Sequence, residues 1–324
     1  MPADRRGGSP PESARSCFVL AVDFGGSKTM VAAVDLHGQI LATERLPVGD
    51  ASGSEGILEG AVRAGRRLVE ATTCGHCAGA GVATAGIPTA EGILLSPNLP
   101  GWDRVRLAER IGDALGIGPV LVGNDVKCAA LAEHRWGALR GADPALYLNL
   151  GSGVSAAIVV GGRVLHGAHG GAGEIGYAAG RIPETAHEPS TLEDMVGGRR
   201  IAERASRLAG RRLTTSQVFD AAGAELRQVV TDGLETLAAH LRTVVLALDP
   251  ARVALGGGLM GHAARVLDAL RRGVAVPEPL GAEVVAGQFL DDAALRGAAA
   301  LALDAVLGGA GASALDAVRG GAGG

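Results

Sequence analysis

The feature that most constrains the fold is a group of strands and glycine loops that occurs twice in the chain. Residues 18–46 contain a continuous apolar run that predicts a buried strand, the loop Gly25-Gly26-Ser27-Lys28, and two further strands. Residues 145–166 repeat this order around the loop Gly151-Ser152-Gly153. Helical stretches that alternate with short strands follow each group. The repetition predicts an α/β protein of two lobes with a cleft between them.

The alternation also predicts where the lobes begin and end. Helices are expected over residues 126–136 and 191–208, among others, and a strand over 252–255 leads into Gly256-Gly257-Gly258. The predicted organisation is a disordered tail over 1–16, an N-terminal lobe over 17–122, a C-terminal lobe over 123–294, a terminal helix over 295–307 that returns to the N-terminal lobe, and a flexible tail over 308–324.

Composition excludes several classes of function. The formal net charge of −4 and the scattered arginines offer no basic surface for nucleic acid. The apolar stretch 17–22 is too short for a signal sequence or a membrane span. Four cysteines in 324 residues are too few for a secreted disulfide scaffold. We therefore expect a cytoplasmic protein that binds neither membranes nor nucleic acid.

Three glycine loops follow predicted strands, and they are candidate phosphate sites. One such loop is explained by steric needs alone, whereas three at equivalent strand ends favour a ligand. Glycine lets backbone N–H groups converge on phosphate oxygens, and Ser27 and Lys28 add a hydroxyl and a cation. The sequence has neither a dinucleotide-binding GxGxxG after its first strand nor a GxxxxGK[ST] loop, so a different kind of phosphate site is expected. Its residues are Gly25, Gly26, Ser27, Lys28, Gly151, Ser152, Gly153, Gly256, Gly257 and Gly258.

Two aspartates stand at the ends of predicted strands. Asp23 precedes the first glycine loop, where a carboxylate could hold Mg²⁺ directly or through water, or simply cap the turn. Asp125 follows Asn124 at the start of a predicted helix, so it is either a helix cap or a catalytic carboxylate. These alternatives remain open from the local sequence alone.

In order along the chain, these segments resemble the ROK family of repressors, open reading frames and kinases, which has the actin-like or ribonuclease H-like ATPase fold. The resemblance extends from residue 18 to about 306. Residues 23–28 are similar to the family's Asp-x-Gly-Gly-Thr-Lys loop, with Ser27 in place of Thr. Residues 96–102, 123–133, 170–176 and 191–194 resemble its sugar-side motifs.

The resemblance implies roles for individual residues. ATP would bind the three glycine loops with Mg²⁺ near Asp23, and Asp125 would be the general base that accepts the proton of the attacking sugar hydroxyl. The other sugar hydroxyls would be bound by Asn98, Asn124, Glu174 and Glu193. The expected ligands are thus a small sugar and ATP, and we expect a homodimer.

The chain departs from the family at two places. Many relatives bind structural zinc through three cysteines and the His of Gly-Glu-Ile-Gly-His, but Tyr177 occupies that His position and residues 180–190 contain no cysteine. No structural zinc is therefore expected, and Tyr177 would reshape the sugar pocket instead. Lys127 stands where relatives often have Asn, and it either pairs with a carboxylate or points to solvent.

The predicted function is phosphorylation of a hexose, with glucose and the 6-hydroxyl first. The alternatives are an amino-sugar kinase acting on kanosamine or an N-acyl hexosamine, and a sugar-sensing ROK protein that has lost catalysis. A regulator of this family would carry a DNA-binding domain ahead of the first phosphate loop, and only 22 residues precede Asp23.

Overall fold

The computed structural model describes residues 17–26, 28–48, 53–96, 101–181, 190–277 and 280–308. The chain separates into two compact units. Unit 1 contains the residues up to Asp125 and those from Ala298 onward, and unit 2 runs from Val126 to Gly297. Among the described residues, no helix combines the length and the apolarity that crossing a bilayer requires.

Unit 1 is built on a five-stranded sheet in the order β3-β2-β1-β4-β7. Strands β1, β2 and β3 are antiparallel, whereas β4 and β7 run parallel to β1. Its elements are β1 Cys17–Phe24, β2 Lys28–Asp35, β3 Ile40–Pro47, α1 Gly53–Ala71, β4 His76–Thr84, β5 Ile87–Pro88, β6 Ile93–Leu94, α2 Leu107–Leu115 and β7 Val120–Asn124.

The amino-acid pattern explains these strands. Residues 18–22 of β1 are all buried, as expected for an apolar run in the middle of a sheet covered on both faces. Strand β3 alternates between half-buried and exposed residues, which is typical of an edge strand with one face toward solvent. Phe24 and Trp102 pack edge to face in the core, with ring centroids 4.8 Å apart. The apolar pattern thus distinguishes the central strand β1, which is buried on both faces, from the edge strand β3.

Unit 2 repeats the architecture with the sheet order β10-β9-β8-β13-β14. Strands β8, β9 and β10 are antiparallel, and β13 and β14 run parallel to β8. Its elements are α3 Asp125–Trp136, β8 Ala145–Leu150, β9 Val154–Val160, β10 Arg163–Val164, β11 Ala179–Arg181, β12 Ser190–Thr191, α4 Leu192–Val196, α5 Gly198–Ala209, α6 Thr215–Phe219, α7 Ala224–Leu248, β13 Arg252–Gly256, α8 Ala263–Gly273, β14 Glu283–Ala286 and α9 Ala293–Val306.

Helices α3 and α9 cross the boundary of the two units, since α3 starts at Asp125 and α9 continues past Ala298. Within unit 1, α9 packs closely on strand β4. A Cβ atom on Gly81 would lie 1.8 Å from the carbonyl oxygen of Ala298, so only glycine allows this approach. The part of α9 from Ala298 onward is therefore packed against the sheet of unit 1.

The doubled strand pattern predicted from the sequence is present, but the single helix predicted over 191–208 is wrong. Two helices, α4 and α5, replace it, and they meet at Gly197 with an extended backbone (φ −59°, ψ 133°). A Cβ atom on Gly197 would lie 2.9 Å from the carbonyl oxygen of Ser152. It would also lie 2.8 Å from the Glu193 carbonyl oxygen, so the junction of the two helices leaves room only for glycine. The predicted strand over 163–166 is also shorter, because β10 ends at Val164.

Candidate active site

Strands β1, β4 and β7 of unit 1 lie side by side and end at the same edge of the sheet. Asp23 is opposite Ala83 in the pairing of β1 with β4, and Asn124 is opposite Thr84 in the pairing of β4 with β7. Asp125 follows directly as the first residue of α3. Because carboxyl ends of parallel strands meet at one edge, the fold brings together the two aspartates that sequence analysis singled out.

Asp23 and Asp125 interact electrostatically. Burial and, to a smaller extent, the negative charge of Asp125 raise the pKa of Asp23 from its ordinary value of 3.8 to about 7, although the Lys28 ammonium acts in the opposite direction. A buried carboxylate beside a second carboxylate is an unfavourable arrangement for stability. Such arrangements are common where charge is needed for chemistry or for a cation.

The remaining unit 1 residues of the predicted site are only partly described. The Gly25 N–H donates to the Lys28 carbonyl oxygen at 3.0 Å, which closes the turn between β1 and β2. The Asn124 side-chain amide donates to the Gly86 carbonyl oxygen at 2.9 Å, so this nitrogen also holds the loop after β4. Ser27 and Asn98 lie outside the described residues.

The second of the three glycine loops, Gly151-Ser152-Gly153, lies in unit 2 and is hydrogen-bonded to the start of α5. The N–H of Gly198 donates to the Gly151 carbonyl oxygen at 2.9 Å, and the N–H of Gly151 donates to Gly153 at 3.0 Å. Glu193, at the start of α4, accepts a hydrogen bond from the Val154 N–H at 3.1 Å. A Cβ atom on Gly153 would lie 2.2 Å from the same carboxylate oxygen. Glu193, which was predicted to bind the sugar, therefore supports the second glycine loop.

The third glycine loop follows β13, and its backbone requires glycine. Gly257 has φ 86° and ψ 172°, a region that is essentially restricted to glycine. A Cβ atom there would lie 2.6 Å from the Asn149 Oδ1 atom. Gly256 pairs with Asn149 across the β13–β8 ladder, so the second and third loops leave neighbouring strands.

A cavity of about 380 Å³ in unit 2 opens beside both loops. Thr215, at the start of α6, donates its hydroxyl to the Gly198 carbonyl oxygen at 2.8 Å and so links two of the lining segments. The His262 ring stacks on Phe219, with centroids 4.6 Å apart. The volume is in the range of small-molecule sites. The lining residues are Gly151, Ser152, Gly198, Arg199, Thr215, Ser216, Gly258, Leu259 and His262.

Sequence reasoning found Gly151, Ser152 and Gly258 of this cavity but missed Gly198, Arg199, Thr215, Ser216 and His262. One signal was present. Thr214 and Gln217 form a capping box, which marks the beginning of a helix and so places Thr215 and Ser216 at its first turn. The other lining residues carry no local pattern that distinguishes them from surface polar residues.

Glu174, which was predicted to bind the sugar, interacts electrostatically with Lys127 in unit 2. Lys127 is only 4% exposed, and its Nζ donates a hydrogen bond to the Gly170 carbonyl oxygen. Burial raises the pKa of Glu174, and the Lys127 ammonium opposes this effect. The sequence left open whether Lys127 lies near a carboxylate or points to solvent. In the structure it is buried and lies near the Glu174 carboxylate. Tyr177, in contrast, is 64% exposed.

Among the described residues, no group of three or more histidine, cysteine, aspartate or glutamate side chains is arranged to hold a metal ion. Asp23 and Asp125 nevertheless offer hard oxygen donors, which suit Mg²⁺. Magnesium in phosphoryl-transfer sites is usually held by one or two carboxylates together with phosphate oxygens. The carboxylate pair of unit 1 fits that requirement.

Comparison with known proteins gives a consistent picture. The ROK family profile matches residues 19–305. The bifunctional enzyme NanE/NanK of Brucella melitensis is 34% identical over 300 residues, which are 88% of this chain and 54% of that longer protein, so the chain spans about half its length.

Two solved structures are also similar. A ROK hexokinase from Thermus thermophilus has a TM-score of 0.76 and 28% identity and covers 90% of this chain and all of its own. A ROK family glucokinase from Streptomyces griseus, in complex with glucose and AMPPNP, has a TM-score of 0.71 and 27% identity and covers 88% and 99%. The actin-like α/β fold class predicted from the sequence is confirmed.

Proposed function

Because the chain belongs to the ROK family, we propose that it is an ATP-dependent sugar kinase that phosphorylates a hexose at its 6-hydroxyl. The observation that carries this proposal is the pair Asp23 and Asp125 at one edge of the unit 1 sheet. One carboxylate for the cation and one for the proton are the acidic groups that phosphoryl transfer to an alcohol needs.

The nucleotide would be bound by the glycine loops. The cavity in unit 2 has room for the nucleoside, and it adjoins Gly151, Ser152 and Gly258. Backbone N–H groups of such loops hydrogen-bond phosphate oxygens, and Lys28 adds a positive charge in unit 1. Magnesium, when bound, would neutralise phosphate charge, and Asp23 is the carboxylate that would hold it.

Asp125 is the proposed general base. The oxygen of the sugar hydroxyl forms a bond to the γ-phosphorus while the bond from that phosphorus to the β–γ bridging oxygen breaks, and ADP leaves. The hydroxyl proton passes to the Asp125 carboxylate. Asn98, Asn124, Glu174 and Glu193 would orient the sugar by hydrogen bonds to its other hydroxyls, and Tyr177 would shape the same pocket.

A coupled ADP-release assay over a panel of sugars tests the proposal. Asp125→Asn keeps the volume of the side chain but removes the base, so we expect kcat to fall by ~10²–10⁴-fold with little change in sugar binding. Asp113→Asn, at an exposed position of α2, is the matched control and keeps full activity. NMR of the product identifies the phosphorylated hydroxyl. Retention of kcat in Asp125→Asn would contradict the assigned role, and absence of turnover with every sugar would contradict the kinase.

A further inference from the structure

Lys127 is a buried ammonium group that the proposed reaction does not use. It is the third residue of α3, two positions after Asp125, and is 4% exposed. Lysine is almost never buried without compensating partners, because loss of water strongly disfavours the charge. Burial lowers the pKa of Lys127, and the nearby Glu174 carboxylate opposes this effect. The Gly170 carbonyl oxygen accepts a hydrogen bond from Nζ.

The ammonium belongs to a wider charged group within unit 2. Lys127 is electrostatically coupled to Glu174 and to His166, and Glu174 is also coupled to Glu193 and hydrogen-bonded to Ser155. Burial and the nearby ammonium lower the pKa of His166. The group thus combines the Lys127 amine with the carboxyl groups of Glu174 and Glu193.

We propose that Lys127 is a specificity-determining residue that makes the sugar site favour an uncharged sugar over one that carries a protonated amine. The inference rests on the proposed function, in which Glu174 and Glu193 bind the sugar. It concerns which sugars are accepted and assigns Lys127 no role in the transfer of phosphate.

The physical basis is the electrostatic interaction of a bound sugar with the charged side chains around it. Without Lys127, two half-buried carboxylates would attract an amino sugar through its ammonium group, and such attraction is strong where water is scarce. Lys127 offsets the charge of Glu174 and repels a second cation. Repulsion of the wrong ligand is a common way to obtain specificity. Hydroxyl and N-acyl substituents are uncharged, so the Lys127 ammonium does not repel sugars that carry them.

The test compares matched sugars that differ only in the charged group, namely glucose with glucosamine and mannose with mannosamine. The quantity measured is the ratio of kcat/KM for the amino sugar to that for the neutral sugar, below the pKa of the amine. Lys127→Met removes the charge at similar length, and Lys127→Arg keeps the charge. We expect the ratio to rise at least about tenfold in Lys127→Met and to stay within about threefold of wild type in Lys127→Arg.

A second measurement needs no variant, so it holds even if Lys127→Met fails to fold. For the wild type, kcat/KM for the amino sugar should rise relative to that for the neutral sugar as the pH passes through the pKa of the amine. A ratio that is unchanged in an active Lys127→Met enzyme, or a wild type that prefers the protonated amino sugar, overturns this inference and leaves the kinase in place. No turnover of any sugar by the wild type overturns both.

Discussion

Asp23 and Asp125 repel each other at the edge of the unit 1 sheet, and this repulsion adds to burial in raising the pKa of Asp23 to about 7. The folded protein therefore holds a proton that the unfolded chain releases near pH 4. Stability contributed by that proton is present at low pH and is lost as the pH rises from about 4 to 7.

Asp23→Asn should remove this loss. Each pH unit between the two pKa values costs about 1.4 kcal/mol, so the variant should gain roughly 3 kcal/mol over wild type between pH 4.5 and pH 8. The measurement is urea unfolding at both pH values with EDTA present. Asp113→Asn, on the exposed face of α2, should follow the wild-type pH dependence. If Asp23→Asn follows it as well, the buried proton is not on Asp23.

Glu193 should matter for the nucleotide as well as for the sugar. Its carboxylate accepts the Val154 N–H and lies against Gly153, so Glu193→Ala loosens the second phosphate loop. We expect KM for ATP to rise about three- to tenfold, on the scale of one lost hydrogen bond of about 1 kcal/mol. Glu59→Ala, in an exposed ion pair with Arg63 on α1, is the control. An effect on the sugar KM alone would show that the loop does not depend on Glu193.

Glu133 should be a large contributor to the stability of unit 2. It is fully buried on α3, and its two carboxylate oxygens accept from the Ala138 N–H at 2.7 Å and the Phe289 N–H at 2.8 Å. Glu133→Ala leaves two buried donors without this acceptor and should cost roughly 2–5 kcal/mol in the free energy of unfolding. Asp268→Ala, which breaks an exposed ion pair with Arg272, should cost less than about 1 kcal/mol. The measurement is the shift of the denaturant midpoint from wild type. Equal shifts in the two variants would refute this ranking.

Adjacent glycines in the third loop should respond differently to alanine. Gly257→Ala places a Cβ atom at a glycine-only backbone conformation and 2.6 Å from Asn149, so we expect a loss of about 1–3 kcal/mol. Gly258→Ala meets no atom within 4 Å and should change stability by less than about 1 kcal/mol. Thermal unfolding of both variants decides the matter. A destabilised Gly258→Ala variant would be inconsistent with the open space at this position.

The parts of the site that follow from strand ends could be predicted from the sequence. Apolar runs followed by glycines locate the loops, and the parallel arrangement then brings Asp23 and Asp125 to one edge. The burial of Lys127 could not be predicted, because its partner Gly170 comes from a distant segment. The break at Gly197 was missed for the same reason. A lone glycine is tolerated in a helix, and the close approach of the Ser152 carbonyl oxygen, which comes from a distant segment, leaves no local signal in the sequence.

Helix α9 has a consequence for how the protein is made. Unit 2 comes from one continuous stretch of chain, whereas strand β4 of unit 1 receives Ala298 and the rest of α9 from the other end of the sequence. During synthesis from the N-terminus, nearly the whole chain is translated before α9 is available to pack on β4. The sheet of unit 1 that ends at Asp23 and Asn124 is therefore completed only when the last helix has been made.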